Sequence, residues 1–179
     1  MKKNNVYLFV DGYNIINAWP SLLKLANEVD LDSARERLIT IMCEFQKLSG
    51  YKVIVVFDAY MIKSGTNTEE QRDNITVIYT KEHESADGYI EKQVNDMKRH
   101  DKMIVASNDG MIQRIILSRG GVRISANELW KTYIDFKERL KRIRRRNCKK
   151  ISKDLVTVDD ETFIKLDNLQ KELEDEGKN

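Results

Sequence analysis

The chain has little of what several common kinds of functional site require. Its 179 residues include one proline, eight glycines and two cysteines. The cysteines, Cys43 and Cys148, are far apart, so we expect neither a disulfide framework nor a zinc site. The lack of a Gly-rich phosphate loop disfavours an NTPase and a nucleotide cofactor. The sequence also lacks a stretch of 18 apolar residues and a signal peptide, so we expect no membrane contact and, as the default, a cytoplasmic location.

Charge is abundant but unevenly distributed. A hydrophobic content of 41% and a charged content of 34% suit a soluble globular protein, and the net charge is only +2. Residues 137–150 hold nine Lys/Arg and one Glu, whereas residues 151–179 hold four Lys and nine Asp/Glu. We therefore predict a body over residues 1–136, a basic helical extension over 137–150 and an acidic, partly helical tail over 151–179. A basic block of this density indicates a polyanionic partner, and RNA is the natural candidate.

Short apolar runs rich in β-branched residues predict the strands. They cover residues 6–10, 53–57, 75–79, 103–106 and, more briefly, 122–124. Helical patterns lie between most of these runs. The alternation predicts an α/β fold with a mainly parallel sheet and helices on both faces.

Capping patterns predict where two of the helices begin. Ser33 with Glu36, and Ser125 with Glu128, have the form of capping boxes. The first of these helices should end at Gly50, because glycine readily adopts the left-handed conformation that terminates a helix.

The connections follow from the remaining residues. Apolar spacing predicts two further helices, over residues 86–97 and 112–116. The polar segment 61–74 lacks a clear period and is predicted to be a mobile loop, and Pro20 is predicted to lie in a loop after the first strand.

Carboxylates follow the predicted strands. Asp11, Asp58 and Asp109 come after three of them, and Asp87 lies in the first turn of the helix that follows a fourth. Because the carboxyl ends of parallel strands line one edge of a sheet, we expect the four side chains to lie near one another. Taken singly, an Asp after a strand is more often a turn or helix-cap residue, and Asp109 is the clearest case for that interpretation.

Four carboxylates in one cleft repel each other unless a cation neutralises them. Hard divalent cations such as Mg²⁺ prefer oxygen ligands and keep positions for water and substrate phosphates. A bound ion of this type, Mg²⁺ or Mn²⁺, lowers the pKa of a coordinated water and stabilises a departing oxygen. The pattern therefore predicts metal-dependent hydrolysis of a phosphodiester.

Other polar residues are expected near the same edge. Asn14 would orient water or bind the scissile phosphate, and Ser107 would bind phosphate or a metal-bound water, although both would also serve as caps. Lys81 would contact phosphate. Glu84 and Glu91 share a helical face with the Asp at the helix start, where we favour a solvated surface.

Five stretches of the sequence resemble the YacP-like NYN nucleases of the PIN-like superfamily. They are VDGYNIINAWP (10–20), VIVVFDAY (53–60), YTKEHESADGYIEK (79–92), VASNDGMIQ (105–113) and GVRISANELW (121–130). The resemblance implies a PIN-like three-layer sandwich and metal-dependent RNA hydrolysis. Its bacterial branch is associated with ribosome-linked endonucleolytic cleavage of mRNA.

The resemblance also assigns roles to individual residues. Asp11 matches the acid of the first strand, and Asn14 matches the amide of the Asp-Gly-Tyr-Asn motif. Asp58 matches the acid of the second strand, Asp87 the acid of the Ala-Asp helix start, and Asp109 the acid of the Ser/Thr-x-Asp motif. All four acids are present, so nothing marks this copy as inactive. Many relatives have a Ser/Thr-Ser-Asp form where this chain has Ser107-Asn108-Asp109, a mild change that concerns only the role of position 108.

The basic segment is predicted to continue the last helix. Its RNA-binding candidates share one side of that helix and are Arg139, Arg142, Arg145, Arg146 and Lys149. Apolar residues at helical spacing should dock the helix on the body, and they are Leu129, Tyr133, Phe136, Leu140 and Ile143. A solvated charged face is the alternative, but a segment of nearly one sign favours contacts to RNA phosphates, including those of rRNA.

We therefore predict an endoribonuclease that cleaves mRNA by water attack, in association with the ribosome, leaving a 5′-phosphate and a 3′-hydroxyl. A non-catalytic RNA- or ribosome-binding factor is the alternative. A phosphatase of the haloacid dehalogenase type is disfavoured, because its second Asp would stand at position 13, which is Tyr13. A receiver domain shares only the clustering of acids.

Overall fold

We describe the protein from a computed structural model. The structure describes residues 5–58, 67–97, 101–107, 116 and 120–156, with side chains up to residue 145. The strands are β1 (Val6–Asp11), β2 (Lys52–Phe57), β3 (Thr68–Arg72), β4 (Ile75–Tyr79), β5 (Lys102–Ala106) and β6 (Val122–Ile124). The helices are α1 (Gly12–Ala18), α2 (Pro20–Glu28), α3 (Leu31–Ser49), α4 (Ala86–Asp96) and α5 (Ala126–Val156). The chain forms two compact units, Met1–Lys137 and Glu138–Asn179.

The six described strands form one sheet in the order β3-β4-β2-β1-β5-β6. All neighbouring strands are parallel except β3 and β4, which are antiparallel. The predicted α/β fold with a mainly parallel sheet is therefore confirmed. The crossover between the parallel neighbours β1 and β2 is formed by α1, α2 and α3.

Helices cover both faces of the sheet, because alternate residues of each buried strand point to opposite sides. In β1, Leu8 and Val10 belong to the core formed with α1, α2, α3 and α5. Phe9 belongs to the opposite core, which Ile90 and Val94 of α4 help to build. The central strands are buried on both sides, which explains why they read as continuous apolar runs.

The prediction of a loop over 61–74 is wrong for residues 68–72, which form strand β3. This strand is polar and mostly exposed at the edge of the sheet, so it carries none of the apolar alternation by which strands are recognised. It is held by its pairing with β4 and by Arg72, which forms ion pairs with Glu36 and Glu70. Residues 59–66 lie outside the described residues.

Two helix boundaries differ from the prediction. Helix α3 begins at Leu31, because the carboxylate of Asp30 accepts a hydrogen bond from the backbone N–H of Ser33 and caps the helix. Pro20 is the first residue of α2 rather than part of a loop, a position where proline's missing N–H is not needed.

Two other boundaries are confirmed. Gly50 ends α3 in the left-handed conformation, with φ at 71°. Ser125 and Glu128 form the predicted capping box, since the Ser125 backbone N–H donates to Glu128 Oε2 at 2.6 Å and the Glu128 backbone N–H donates to Ser125 Oγ at 3.2 Å. Of the helix predicted over 112–116, only Ile116 lies among the described residues, where it is helical and buried.

Helix α5 continues through the basic segment without interruption. Its residues Leu129 and Tyr133 are buried and Phe136 is partly buried. The predicted apolar stripe is wrong at Ile143, which is 47% exposed. Within the described residues, no helix has both the length and the apolar composition needed to cross a bilayer.

Candidate active site

The carboxyl ends of the parallel strands bring several of the predicted residues to one edge of the sheet. Val10 pairs with Ala106, so Asp11 and Ser107 come next on adjacent strands, about 4.8 Å apart at the backbone. Asp11 pairs with Val56 on the other side, which places Asp58 about two residues, or ~6.6 Å, further along β2. The edge therefore carries two carboxylates and a hydroxyl from three neighbouring strands.

Asp11 is a buried carboxylate, with only 8% of the residue exposed. Its Oδ1 accepts a hydrogen bond from the backbone N–H of Asn14 at 3.1 Å, which caps α1. The capping interpretation of this Asp is thus correct as a description of its local structure. The same contact places Asn14 one turn from the sheet edge, where it is half-buried.

Asp58 is tied to a distant part of the chain. Its Oδ1 accepts a hydrogen bond from the backbone N–H of Ala86, which is 28 residues further on and begins α4. Asp87 is the next residue, so this contact brings the end of β2 to the helix turn that carries the half-buried Asp87. Ser85 completes the turn as the N-cap of α4, with its Oγ accepting from the Gly88 N–H at 3.1 Å.

Glu84 contradicts the preference for a solvated surface. The residue is only partly exposed, and its Oε2 is buried without a hydrogen-bond partner in the described part of the chain. A buried carboxylate oxygen of this kind is unfavourable unless a cation, a proton or water satisfies it. Glu84 also precedes α4, so the prediction that it shares a helical face with Glu91 is wrong. Glu91, within α4, is exposed as expected.

A glycine and three aromatic rings pack together at this edge of the sheet. A Cβ added at Gly12 would overlap the ring of Phe57, the residue before Asp58. That ring packs edge-on against Tyr13 at a centroid distance of 5.2 Å and stacks on Tyr79 at 5.7 Å. The glycine after Asp11 therefore allows α1 to approach the end of β2, a role that the sequence signals only as an Asp-Gly pair.

The loop after β4 lies at the same end of the sheet. The backbone N–H of Thr80, which is buried, donates to the Phe57 carbonyl at 3.0 Å. Lys81 is exposed, and its backbone N–H donates to Asn67 Oδ1 at 2.7 Å. The exposed Lys81 ammonium is thus carried by a loop anchored next to Asp58.

Ser107 differs from an exposed cap. It is fully buried, its backbone N–H donates to the Ile124 carbonyl at 3.2 Å, and its carbonyl accepts from Arg123 Nε at 3.0 Å. These contacts connect the ends of β5 and β6. Asp109 lies outside the described residues.

The described basic candidates of α5 are exposed. Arg139, Arg142 and Arg145 all reach solvent, and Arg142 makes an ion pair with Glu138 at 3.8 Å, one turn away. Arg146 and Lys149 are in the helix, but their side chains lie outside the described part.

The types of donor atom at the edge of the sheet indicate which metal ion it would bind. Among the described residues no group of three or more His, Cys, Asp or Glu is close enough to hold an ion. The donors at the edge are carboxylate and hydroxyl oxygens, without thiolate, which fits Mg²⁺ or Mn²⁺ with few protein ligands. The buried Oε2 of Glu84 fits the same chemistry, since a cation would satisfy it. The residues present are therefore compatible with the implied metal.

Comparisons with known proteins agree with this architecture. Residues 8–171 match the YacP-like NYN domain family. The chain is 41% identical over 137 residues to the uncharacterized protein YacP of Bacillus subtilis (strain 168), covering 75% of this chain and 79% of the other. The crystal structure of Rae1 (YacP) from Bacillus subtilis is similar, with a TM-score of 0.66 and 32% identity, covering 92% of this chain and 94% of that chain. A mutant of the same protein gives a TM-score of 0.66 and 36% identity, over 79% of this chain and 82% of that chain. The chain therefore belongs to the YacP-like NYN domain family and has its nuclease-like fold.

Proposed function

We propose that this protein is a Mg²⁺- or Mn²⁺-dependent endoribonuclease that cleaves mRNA in association with the ribosome. The observation that carries the proposal is the hydrogen bond from the Ala86 N–H to Asp58, which joins the start of α4 to the carboxyl edge. That hydrogen bond brings Asp87 towards the edge that already holds Asp11. Membership of the family supports the same reaction class.

The reaction is hydrolysis of one phosphodiester bond. A water oxygen bonds to phosphorus, the bond from phosphorus to the 3′-oxygen breaks, and that oxygen takes a proton, leaving a 5′-phosphate and a 3′-hydroxyl. A bound divalent cation would lower the pKa of the attacking water and neutralise charge on the phosphate. Its ligands would come from Asp11, Asp58, Asp87 and, by family resemblance, Asp109. One or two of them would bind it directly and the others through coordinated water, because no three of the described acids are close enough to share an ion.

The residues of the chain supply the rigidity that such a site needs. Asp11 fixes the start of α1 through the Asn14 N–H, and Asp58 fixes the start of α4 through the Ala86 N–H. Each carboxylate is thereby held in one orientation before substrate arrives. A site that is organised in advance loses little free energy to rearrangement during the reaction.

The basic segment supports RNA as the substrate. Residues 137–150 carry nine Lys/Arg and one Glu, and the described arginines of this segment are exposed. Such a segment attracts phosphates of any sequence, so it contributes affinity without choosing the cleavage position. Selection would then depend on presentation of the mRNA, for which the ribosome is our proposed partner.

The test is cleavage of an mRNA during translation in a reconstituted system, with 5′ ends mapped. Asp87→Asn should lower the cleavage rate by at least about 100-fold, the scale expected when one group that stabilises the charge of a transition state is removed. Glu91→Gln is the matched control, since it removes an exposed carboxylate one turn further along α4. Undiminished cleavage by Asp87→Asn would refute the proposal.

A non-catalytic RNA- or ribosome-binding factor is the second candidate. It is favoured by the helix-capping hydrogen bonds of Asp11 and Asp58, which give both carboxylates a structural reason to be present. Crosslinking of the protein to rRNA, together with no metal-dependent cleavage of translated mRNA, would favour this candidate. Inactivity on naked RNA would not, because the ribosome is proposed to present the substrate.

A further inference from the structure

Both tryptophans of the chain line one cleft. Trp19 follows α1 and Trp130 lies near the start of α5, and together they account for the whole tryptophan content. The cleft has a volume of about 260 Å³, and its other lining residues are Pro20, Ser21 and Asn127. It lies within the first compact unit and shares no residue with the acidic edge.

The two rings have different roles in this cleft. Trp19 is buried, and its Nε1 donates to the Ala126 carbonyl at 2.9 Å, so its position is fixed. Trp130 meets Trp19 edge-on at 4.8 Å and packs against Tyr133 at 5.6 Å, yet it remains 39% exposed. The cleft thus contains a partly exposed indole ring that is supported by two aromatic neighbours, and such a ring can stack on a flat ligand.

The cleft lies close to the candidate active site along two independent paths. The seven residues of α1 lie between Asp11 and Trp19, so the two residues are eight steps of 1.5 Å apart, or about 12 Å. Across the sheet, β6 lies two strand spacings of ~4.8 Å from β1, with β5 between them. Ala126 follows two residues after the end of β6. A single strand of RNA that passes the carboxyl edge would need only a few nucleotides to reach the cleft.

Charge along this route suits a polyanion. Arg123 donates to the Ser107 carbonyl at 3.0 Å, and this places its guanidinium at the ends of β5 and β6, next to the start of α5. Lys131, next to Trp130, is exposed. The nearby Glu128 carboxylate accepts hydrogen bonds from the N–H and the hydroxyl of Ser125, which partly offset its negative charge.

We propose that the cleft binds one unpaired nucleobase of the RNA strand, with the base stacked on Trp130. Ser21 and Asn127 lie at its rim, and a hydroxyl and an amide both donate and accept hydrogen bonds, as the edge of a base requires. This assignment rests on the proposed function, because it takes RNA to be the substrate. It adds a base-binding position to the cleavage site, a short distance along the strand.

Intrinsic fluorescence tests the proposal directly, because both tryptophans report on the same cleft. The full chain, with divalent cations chelated to prevent cleavage, is titrated with a short oligouridylate. We expect saturable quenching that follows binding measured by anisotropy of labelled RNA. An oligonucleotide of the same length with abasic positions should bind about 5- to 100-fold more weakly and quench little.

Variants separate stacking from folding. Trp130→Leu should bind intact oligouridylate more weakly by the same factor and should no longer distinguish it from the abasic oligonucleotide. Trp130→Phe should retain most of the affinity. Leu23→Ala, at a 37% exposed apolar residue of α2 that does not line the cleft, should bind as the wild type does. If Trp130→Leu does not fold, the comparison of intact and abasic RNA on the wild type decides.

The proposal is overturned by binding without quenching, by equal affinity for intact and abasic RNA, or by no binding at all. Unchanged RNA affinity of Trp130→Leu would also overturn it, and would indicate that the cleft accepts an apolar side chain of a protein partner. Failure of the nuclease proposal looks different. In that case oligouridylate still quenches the tryptophans, but the wild type does not cleave translated mRNA.

Discussion

Gly12 and Phe57 are packed so closely that the ring of Phe57 occupies the space where any side chain at position 12 would begin. Each residue is adjacent to a candidate catalytic carboxylate, Gly12 to Asp11 and Phe57 to Asp58. The packing therefore holds the first turn of α1 against the end of β2. The separation of the two carboxylates depends on it.

Replacing Gly12 by Ala should damage both stability and activity. We expect the free energy of unfolding to fall by ~1–3 kcal/mol, because a methyl group would displace a buried ring. Denaturant unfolding measures this change. The double variant Gly12→Ala/Phe57→Leu should recover part of the stability, since the smaller side chain makes room. If the double variant is less stable by the sum of both single effects, the two residues are not coupled in this way.

Two substitutions at Asp58 separate its structural role from its chemical role. Asp58→Asn keeps an oxygen that accepts from the Ala86 N–H, so stability should change little while metal-dependent cleavage is abolished. Asp58→Ala should in addition lower the free energy of unfolding by ~1.5–3 kcal/mol, the scale of a hydrogen bond to a charged group. Unfolding curves and cleavage rates are measured on the same preparations. Full activity of Asp58→Asn would show that the charge is not needed.

Stability should decrease in acid through Glu44. Its pKa lies below the ordinary value because the Tyr133 hydroxyl donates a hydrogen bond to its carboxylate; partial burial opposes the shift, and Lys137 adds to it. A lowered folded-state pKa gives stability that is present above the unfolded pKa of about 4.3 and is lost as pH falls through the folded value. Because the Glu44 side chain is 45% exposed, the effect should stay below ~1 kcal/mol.

The measurement is the free energy of unfolding of wild type and Glu44→Gln between about pH 3 and pH 7. The difference between the two should be largest near neutrality and should shrink in acid. Glu28→Gln is the control, because Glu28 forms an ion pair with Lys24 at 3.8 Å on an exposed helix face. If the difference in unfolding free energy between the wild type and Glu44→Gln is the same at every pH, the assignment is wrong.

RNA affinity should depend steeply on salt through the basic part of α5. Replacing Arg139 or Arg142 by Ala should weaken the binding of unrelated RNA sequences by the same factor. It should also reduce the slope of log affinity against log salt concentration by about one for each phosphate that is no longer neutralised. Lys24→Ala, on α2, should leave the slope unchanged. Filter binding at several salt concentrations gives the slopes. A slope that is the same for the arginine variants and the wild type would mean that these side chains do not bind RNA phosphates.

Much of the fold could be predicted because its signals are local. The buried strands are continuous apolar runs, Gly50 supplies the left-handed residue that ends α3, and Ser125 with Glu128 caps α5. Strand β3 could not be predicted in this way. Its residues are polar and exposed, and only the neighbouring strand β4 and the ion pairs of Arg72 make it a strand.

The sequence by itself determined the parallel sheet, the family and the arrival of carboxylates at strand ends, because burial patterns and helix caps depend on residues close together in the chain. Only the tertiary structure decided that Asp58 holds the start of α4, that an oxygen of Glu84 is buried, and that Trp19 and Trp130 share a cleft. Those arrangements join residues that are distant in the chain, so they depend on strand order and helix packing. A pattern of neighbouring residues does not specify either one.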